Sequence, residues 1–166
     1  MPALFKITRI TTKPVQVREA ASVELARDAE AVWSFMWDPA SAVRLNDMES
    51  GVLLPSRPRG LGEIQVFIQR TSAGRVGHLH EVVKFEAGRY AQTRNLSSAY
   101  PAYGALTIDP LGPGACRLTQ EFWVDLPKGA PVSDVRDIRE GIKYELRTLM
   151  SKLPDATADS QGGLKS

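Results

Sequence analysis

Two neighbouring stretches decide the fold of this chain: residues 18–25, Arg-Glu-Ala-Ala-Ser-Val-Glu-Leu, and residues 28–39, Asp-Ala-Glu-Ala-Val-Trp-Ser-Phe-Met-Trp-Asp-Pro. The first stretch alternates, so that Ala21, Val23 and Leu25 share one face and the opposite face is mostly polar. Alternation with a period of two is typical of a half-buried β-strand. We therefore predict a strand that leads, after a short turn, into the second stretch.

The second stretch predicts an amphipathic helix that begins near Asp28, a residue type favoured at the N-cap. Four residues with helical spacing would form its buried face: Ala29, Val32, Trp33 and Met36. The helix should end at Asp38-Pro39, because proline disfavours helical geometry at the residue before it. A second short helix is expected at about 40–46.

The middle of the chain predicts a series of strands. From Met48 onward, apolar residues recur with a period of two between turns that contain glycine or proline. Short connections of this kind favour antiparallel neighbours. Together with a first strand at about 15–25, the expected strands are 48–55, 61–71, 75–86, 89–97, 102–109 and 115–126.

The last element is predicted to be one long amphipathic helix, with Ser133 as its N-cap and Pro154 as its end. Its apolar residues recur at spacings of three and four: Val135, Ile138, Ile142, Leu146, Leu149 and Leu153. The order of elements predicts an α+β fold in which a curved sheet wraps around this helix. Residues 1–14 would be a lead-in, and residues 155–166 a polar, disordered tail.

Composition limits the function classes. A chain of 166 residues fits one domain, and a formal charge of +2 with dispersed basic residues argues against nucleic-acid binding. The lone Cys116 excludes an internal disulfide framework. His78 and His80 are predicted to face solvent, so we expect no metal site and no cofactor.

Without a signal-like N-terminus or a run of about 20 apolar residues, the chain is expected to be cytoplasmic and to lack a membrane span.

The layout and several segments resemble the START-like, or Bet v 1-like, superfamily (SRPBCC), which includes polyketide cyclase/dehydrase and lipid-transport proteins. The matching segments are Val-Glu-Leu-Ala-Arg-Asp-Ala-Glu-Ala-Val-Trp at 23–33, Gly-Leu-Gly-Glu at 60–63, Glu-Val-Val-Lys-Phe-Glu-Ala-Gly-Arg at 81–89, Cys-Arg-Leu-Thr-Gln-Glu at 116–121, and the closing helix. The resemblance implies a helix-grip domain at 15–154. Such a domain has a strongly curved antiparallel sheet of about six to seven strands around a long C-terminal helix, with two short helices after the first strand. It implies a cavity between sheet and helix but no single activity.

Alternation also predicts which side chains line this cavity. We assign the bulkier or more apolar set of each strand to the inner face of the bent sheet. The expected ligand-binding residues are Ile64, Val66, Ile68, Val83, Phe85, Tyr90, Leu106, Ile108, Leu118, Gln120, Phe122, Ile138, Ile142 and Leu146. Most of them are apolar, as is usual in a pocket for a small hydrophobic molecule.

Glu81 is the best single candidate for chemistry. It shares the alternating face of Val83 and Phe85, whereas His80 falls on the opposite face. An inward carboxylate among apolar neighbours would be paired or would have a raised pKa. Arg94 on the next predicted strand could pair with Glu81 or hold a ligand carboxylate or enolate. The alternatives are a Glu81 at the cavity mouth or turned outward by a bulge, and an Arg94 that faces solvent.

Three functions follow from these observations. The first is a binding module that carries a small apolar or aromatic ligand, such as a lipid or a polyketide-like compound, in the cavity. The second, implied by the resemblance, is a polyketide cyclase, aromatase or dehydratase with Glu81 as general acid/base and Arg94 stabilising enolate charge. The third is a protein-interaction role, which would need a packed cavity and an exposed apolar patch. A homodimer is compatible with each.

Overall fold

A computed structural model of the chain describes residues 8–54 and 59–159. In chain order, the elements are β1 (Val15–Leu25), α1 (Ala29–Trp37), α2 (Pro39–Leu45), β2 (Ser50–Leu53), β3 (Ile64–Thr71), β4 (Gly74–Glu86), β5 (Tyr90–Asn95), β6 (Ala102–Gly112), β7 (Ala115–Leu126) and α3 (Val132–Asp159). The predicted order of one strand, two short helices, six strands and one long helix is confirmed.

The strands of the described residues form one antiparallel sheet in the order β1-β7-β6-β5-β4-β3-β2. Strands β1 and β7 pair along their full length, from Val15 opposite Leu126 to Leu25 opposite Cys116. Helix α3 packs against these two strands, and α2 contacts both α3 and β2. The curved sheet therefore surrounds the long helix, and the predicted α+β helix-grip fold is confirmed.

The two short helices begin at aspartates that act differently. The Asp38 carboxylate accepts a hydrogen bond of 3.0 Å from the backbone N–H of Ala40, and so caps α2. Asp28 holds the N-cap position of α1, but its side chain makes no capping bond there. Instead it accepts a hydrogen bond of 2.9 Å from the backbone N–H of Gly114, in the turn between β6 and β7. Asp28 thus ties the start of α1 to the sheet.

Two clusters of buried apolar side chains fill the space between sheet and helices. The first joins α1 and α3 to β6 and β7, and includes Val32, Trp33, Ile108, Leu118, Leu149 and Leu153. The second joins β1 and β7 to α3, and includes Val17, Leu126, Ala130, Ile142 and Leu146. Burying one leucine or valine side chain contributes about 1.5–3 kcal/mol. The apolar stripe of α3 belongs to both clusters, which explains why the sheet holds this helix.

Helix α3 does not end at Pro154, and the predicted end was wrong. The helix continues to Asp159 with Pro154 inside it. The additional turn is held by packing, since Ala156 lies against the first cluster and the Thr157 hydroxyl donates to the carbonyl oxygen of Leu153 at 2.8 Å. Proline removes one backbone donor, and the tertiary contacts of the last turn outweigh that loss. The rest of the predicted tail, 160–166, lies outside the described residues.

Part of the predicted lead-in is ordered against the loop before α3. The backbone N–H of Thr11 donates to the carbonyl oxygen of Ala130, and that of Val132 donates to the carbonyl oxygen of Arg9. Residues 1–7 of the lead-in and residues 55–58, at and after the end of the second predicted strand, lie outside the described residues. In the part that is described, no helix is both long and apolar enough to cross a membrane.

Candidate functional site

A cavity of about 300 Å³ lies between the inner face of the sheet, helix α3 and the helices α1 and α2. Its apolar walls include Trp37, Phe67, Leu106, Phe122, Ile142 and Leu149. Its polar lining includes Asn46, Gln65, His80, Thr93, Asn95, Gln120 and Glu145. An apolar enclosure with a few polar groups is the usual make-up of a small-molecule site.

Small residues on the inner face of β5 and β6 make room for this cavity. Ala91 lies opposite Leu106, and Thr93 lies opposite Gly104. A Cβ atom built on Gly104 would meet the Phe122 ring at 3.1 Å. The missing side chain of Gly104 therefore lets the Phe122 ring lie close to β6 in the cavity wall.

A buried carboxylate fixes the orientation of the Gln65 side chain. Glu63 is only 1% exposed and accepts hydrogen bonds from Arg59 Nε at 2.7 Å, the Gly60 N–H at 3.0 Å and Gln65 Nε2 at 2.7 Å. An ionised carboxylate only accepts hydrogen bonds, so the amide nitrogen of Gln65 must face Glu63. The amide oxygen of Gln65 has no partner within residues 8–54 and 59–159, and is left as an acceptor at the cavity wall.

The imidazole ring of His80 lies in the cavity wall. Its ring meets that of Phe67 edge-on, with 5.7 Å between centroids. Burial, together with the nearby His78, lowers the pKa of His80 to about 4, so the ring is neutral at pH 7. His78 shares this face of the sheet and pairs with Gln69 at 3.2 Å. By contrast, the His80 ring forms no hydrogen bond with any residue that the structure describes.

Glu145 brings a carboxyl group to the cavity from α3. It lies between Ile142 and Leu149, which also line the cavity. The residue is exposed overall, but partial desolvation of its carboxyl group by these neighbours raises the pKa of Glu145 above its ordinary value. Its carboxyl group forms neither a hydrogen bond nor an ion pair with the described residues, and the Gln120 amide is likewise without a partner there. His80, Gln120 and Glu145 therefore offer hydrogen-bonding groups to whatever enters.

An aromatic cluster closes one end of the cavity. Trp33 and Trp37 stack with centroids 5.3 Å apart, and Phe85 packs against Trp37 at 5.1 Å. The Arg59 guanidinium lies 5.9 Å from the Trp37 ring and donates to the Trp37 carbonyl oxygen at 2.7 Å. Arg59 thus connects this cluster to the buried Glu63.

The predicted lining residues fall into three groups. Leu106, Gln120, Phe122 and Ile142 line the cavity, and their role in ligand binding stays a prediction. A second group faces inward but packs in the core or against the tryptophans: Phe85, Ile108, Leu118, Ile138 and Leu146. The third group does not line the cavity: Ile64, Val66, Ile68, Val83 and Tyr90.

The third group lies where our choice of strand face was wrong. On β3 the inner residues are Gln65 and Phe67, so Ile64, Val66 and Ile68 point to the outer face. On β5 the inner residues are small and the bulky set that starts with Tyr90 points outward. Val83 occupies a bulge in β4.

The bulge in β4 also reverses the predictions for Glu81 and the histidines. The register with β5 shifts between Val82 and Lys84, so that one extra residue changes the alternation. Phe85 keeps its predicted inward direction, whereas Glu81 turns to the outer face and His80 to the inner one. The structure shows the alternative in which a bulge turns Glu81 outward, and the outward direction predicted for His80 and His78 was wrong.

Glu81 and Arg94 do meet, but outside the cavity. Arg94 donates to the Glu81 carboxylate at 2.6 Å on the outer face, where their side chains are 48% and 29% exposed. Neither residue lines the cavity. The two side chains therefore have no access to a ligand in the cavity, which the catalytic roles considered for this pair would require.

Sequence reasoning missed Gln65, His80 and Glu145. Glu145 had a usable signal, because it lies three residues after Ile142 and four before Leu149, on the apolar stripe of the helix. Gln65 and His80 had none, since their direction depends on the β3–β4 register. No group of three or more metal-ligating side chains occurs among residues 8–54 and 59–159.

Comparison with known proteins identifies the fold. No protein-family model matches the sequence, and no curated protein matches it. The Zhui aromatase/cyclase from Streptomyces sp. R1128 has a TM-score of 0.72 at 12% identity, over 90% of this chain and 99% of that one. A START superfamily protein from Mycobacterium smegmatis has a TM-score of 0.63 at 16% identity, over 83% and 97% of the two chains.

Norcoclaurine synthase from Thalictrum flavum, solved in complex with dopamine and hydroxybenzaldehyde, has a TM-score of 0.64 at 14% identity. That match covers 100% of this chain and 99% of the synthase. Likeness at such low identity concerns the fold alone. The chain has the START-like, helix-grip fold that its sequence resembles.

Proposed function

We propose that this protein binds a small, largely apolar organic ligand in the cavity between the sheet and helix α3. The observation that carries the proposal is a mostly apolar cavity, partly open to solvent, whose wall carries polar groups that lack partners in the described residues: His80, Gln120 and Glu145. Trp37 Nε1 in the same wall is buried without a hydrogen-bond partner among the described residues, and such a group costs about 1–3 kcal/mol. A ligand that supplies hydrogen bonds to these groups would offset that cost.

The size of the cavity limits the ligand class. Its volume of about 300 Å³ is at the lower end of the range for small-molecule pockets. This favours a compound of one to three rings, or a short lipid, over a long-chain lipid. The synthase of similar fold that was solved with dopamine and hydroxybenzaldehyde provides an analogy for small aromatic ligands.

An enzyme is the second candidate, with different residues from those first considered. Glu145, whose pKa is raised, and the neutral His80 line the same cavity, which suits proton transfer to and from a carbonyl substrate. A cyclase or dehydratase would then use Glu145 where we had expected Glu81. Conversion of a β-keto compound by the wild type and its loss in Glu145→Gln with ligand affinity retained would support this candidate.

The binding function can be tested with a cavity-filling variant. Ala102 lines the cavity, so Ala102→Phe should weaken binding of the neutral dye Nile red at least about tenfold, which corresponds to about 1.4 kcal/mol. Ala20→Phe makes the same change on the exposed outer face of β1 and should leave affinity unchanged. Circular dichroism and thermal unfolding would show that both variants are folded.

Two results would contradict the proposal. Either the wild type takes up neither Nile red nor small aromatic compounds, or Ala102→Phe and Ala20→Phe bind the dye equally well. In both cases the protein-interaction role would become the better hypothesis. The cytoplasmic location, the homodimer and the lack of nucleic-acid binding stay predictions.

A further inference from the structure

We propose that the cavity selects its ligand by charge: it accepts a neutral or cationic ligand that carries a hydrogen-bond donor, rejects carboxylates, and uses Glu145 to make this distinction. The inference rests on the proposed binding function and narrows it. It makes Glu145 a specificity-determining residue and excludes free fatty acids and other carboxylates as ligands.

The described part of the cavity lining contains an acidic residue, Glu145, but no lysine or arginine. His80 supplies no positive charge at neutral pH, because burial keeps its imidazole neutral. An anion in this space would lose part of its hydration without gaining a cation from the described lining, which is unfavourable. Repulsion from Glu145 would add to that cost.

Three basic residues of neighbouring segments form ion pairs elsewhere, whereas Arg44, between the lining residues Ala42 and Leu45, forms none with the described residues. Two basic residues of α3 pair with acidic residues of other elements: Arg139 with Glu19 at 3.2 Å, and Lys152 with Asp47 at 2.9 Å. Arg59 pairs with the buried Glu63 at 2.7 Å. Each of these three paired side chains would have to break its ion pair to hold an anionic ligand. None of the three lines the cavity.

The neutral polar groups of the lining can donate as well as accept, and two of its amides keep their oxygen free. Gln65 donates one of its two amide hydrogens to Glu63, and Asn46 donates from Nδ2 to the Ala42 carbonyl oxygen at 3.1 Å. Both therefore keep an amide oxygen for a ligand. Asn95 is the exception, because its oxygen accepts from Ser97 and its amide nitrogen stays available as a donor. The Glu145 oxygens add acceptors that a hydroxyl or an amine can satisfy and a carboxylate cannot.

Three compounds with one apolar body would test the inference: 2-naphthalenemethanol, 2-naphthalenemethylamine and 2-naphthoic acid. Calorimetric titration at pH 7 should show the alcohol and the amine binding at least about tenfold more tightly than the naphthoate. Glu145→Gln, which keeps the shape and removes the charge, should reduce this difference to less than about threefold. Glu140→Gln on the exposed side of α3 is the matched control and should leave the difference unchanged.

The outcomes separate this inference from the binding function on which it rests. If naphthoate binds as tightly as the alcohol or the amine, or if Glu145→Gln leaves the difference unchanged, charge selection is wrong while the binding function stands. If Nile red and all three naphthalene compounds fail to bind, the binding function itself is wrong and this inference is lost with it.

Discussion

Arg94 and Glu81 lie directly opposite each other on β5 and β4, and the guanidinium donates to the carboxylate at 2.6 Å on the outer face of the sheet. The pair is partly exposed, and the cavity lies on the other side of the same strands. Exposed ion pairs typically contribute about 0–1 kcal/mol to folding. The pair therefore belongs to the strand–strand contact and not to the ligand site.

Arg94→Met tests this assignment. We expect the free energy of unfolding in urea to fall by no more than about 1 kcal/mol, because solvent already screens the pair. Affinity for Nile red should stay within about twofold of the wild type. If the folded Arg94→Met protein bound Nile red tenfold or more weakly, Arg94 would belong to the ligand site and this assignment would be wrong.

Glu63 should be far more important for stability than Glu81. It is buried and accepts from three donors, those of Arg59, Gly60 and Gln65. Glu63→Leu would leave these donors without their acceptor, although the exposed Arg59 head group can turn to water. We expect the free energy of unfolding to fall by about 2–4 kcal/mol.

The matched control for Glu63 is the exposed pair of Glu86 and Arg89, which are 3.3 Å apart in the turn between β4 and β5. Glu86→Leu should change the free energy of unfolding by no more than about 0.5 kcal/mol. Urea unfolding followed by tryptophan fluorescence measures both variants. Equal effects of the two substitutions would mean that burial of the Glu63 carboxylate has no special role.

Two features of the structure require glycine at position 60. Its φ of +100° lies in the left-handed region, and a Cβ atom would approach the Phe85 ring at 3.0 Å. Gly62 has a φ of +80° but open space where its Cβ would be. Gly62→Ala should therefore cost about 1–2 kcal/mol from the backbone alone.

Gly60→Ala should cost more than Gly62→Ala, by about 1–3 kcal/mol of overpacking against Phe85. Because Phe85 packs on Trp37, its displacement should also shift the tryptophan emission. Thermal unfolding and fluorescence of the two variants provide the comparison. If both alanine variants are equally stable, the aromatic cluster adjusts without strain and the close approach is unimportant.

Local patterns were sufficient for the order of the elements but not for the end of α3 or for the cavity wall. The β1–α1–α2 order and the apolar stripe of α3 depend on neighbours three or four residues away, and they were predicted correctly. The faces of β3 to β5 depend on pairing between strands. In Ile64-Gln-Val-Phe-Ile68, apolar residues occur on both faces, so alternation cannot say which face is inside.

The rule that bulky residues face inward holds for a packed core and fails beside a cavity. On β5, the inner positions are Ala91, Thr93 and Asn95, because the empty space requires small or polar residues there. Tyr90 and Arg94 consequently lie on the outer face. The bulge at Val83 had no signal in its own composition, and it changed the direction of Glu81 and His80 together.

His80 gives the fold a pH dependence whose sign follows from its pKa. The pKa is about 4 in the folded protein, against an ordinary value of 6.5. Between these values the unfolded chain binds a proton that the folded protein excludes, so the free energy of unfolding falls as the pH falls. The two pKa values set this contribution at about 2–3 kcal/mol between pH 7 and pH 4.

His80→Gln should remove that dependence. We expect the wild type to lose about 2–3 kcal/mol more than His80→Gln when urea unfolding is compared at pH 7 and pH 4. His78→Gln should keep most of the dependence, because burial is a larger cause of the lowered His80 pKa than the nearby His78. Parallel curves for the wild type and His80→Gln would mean that the imidazole is hydrated when folded, and that the cavity wall at this position is open to water.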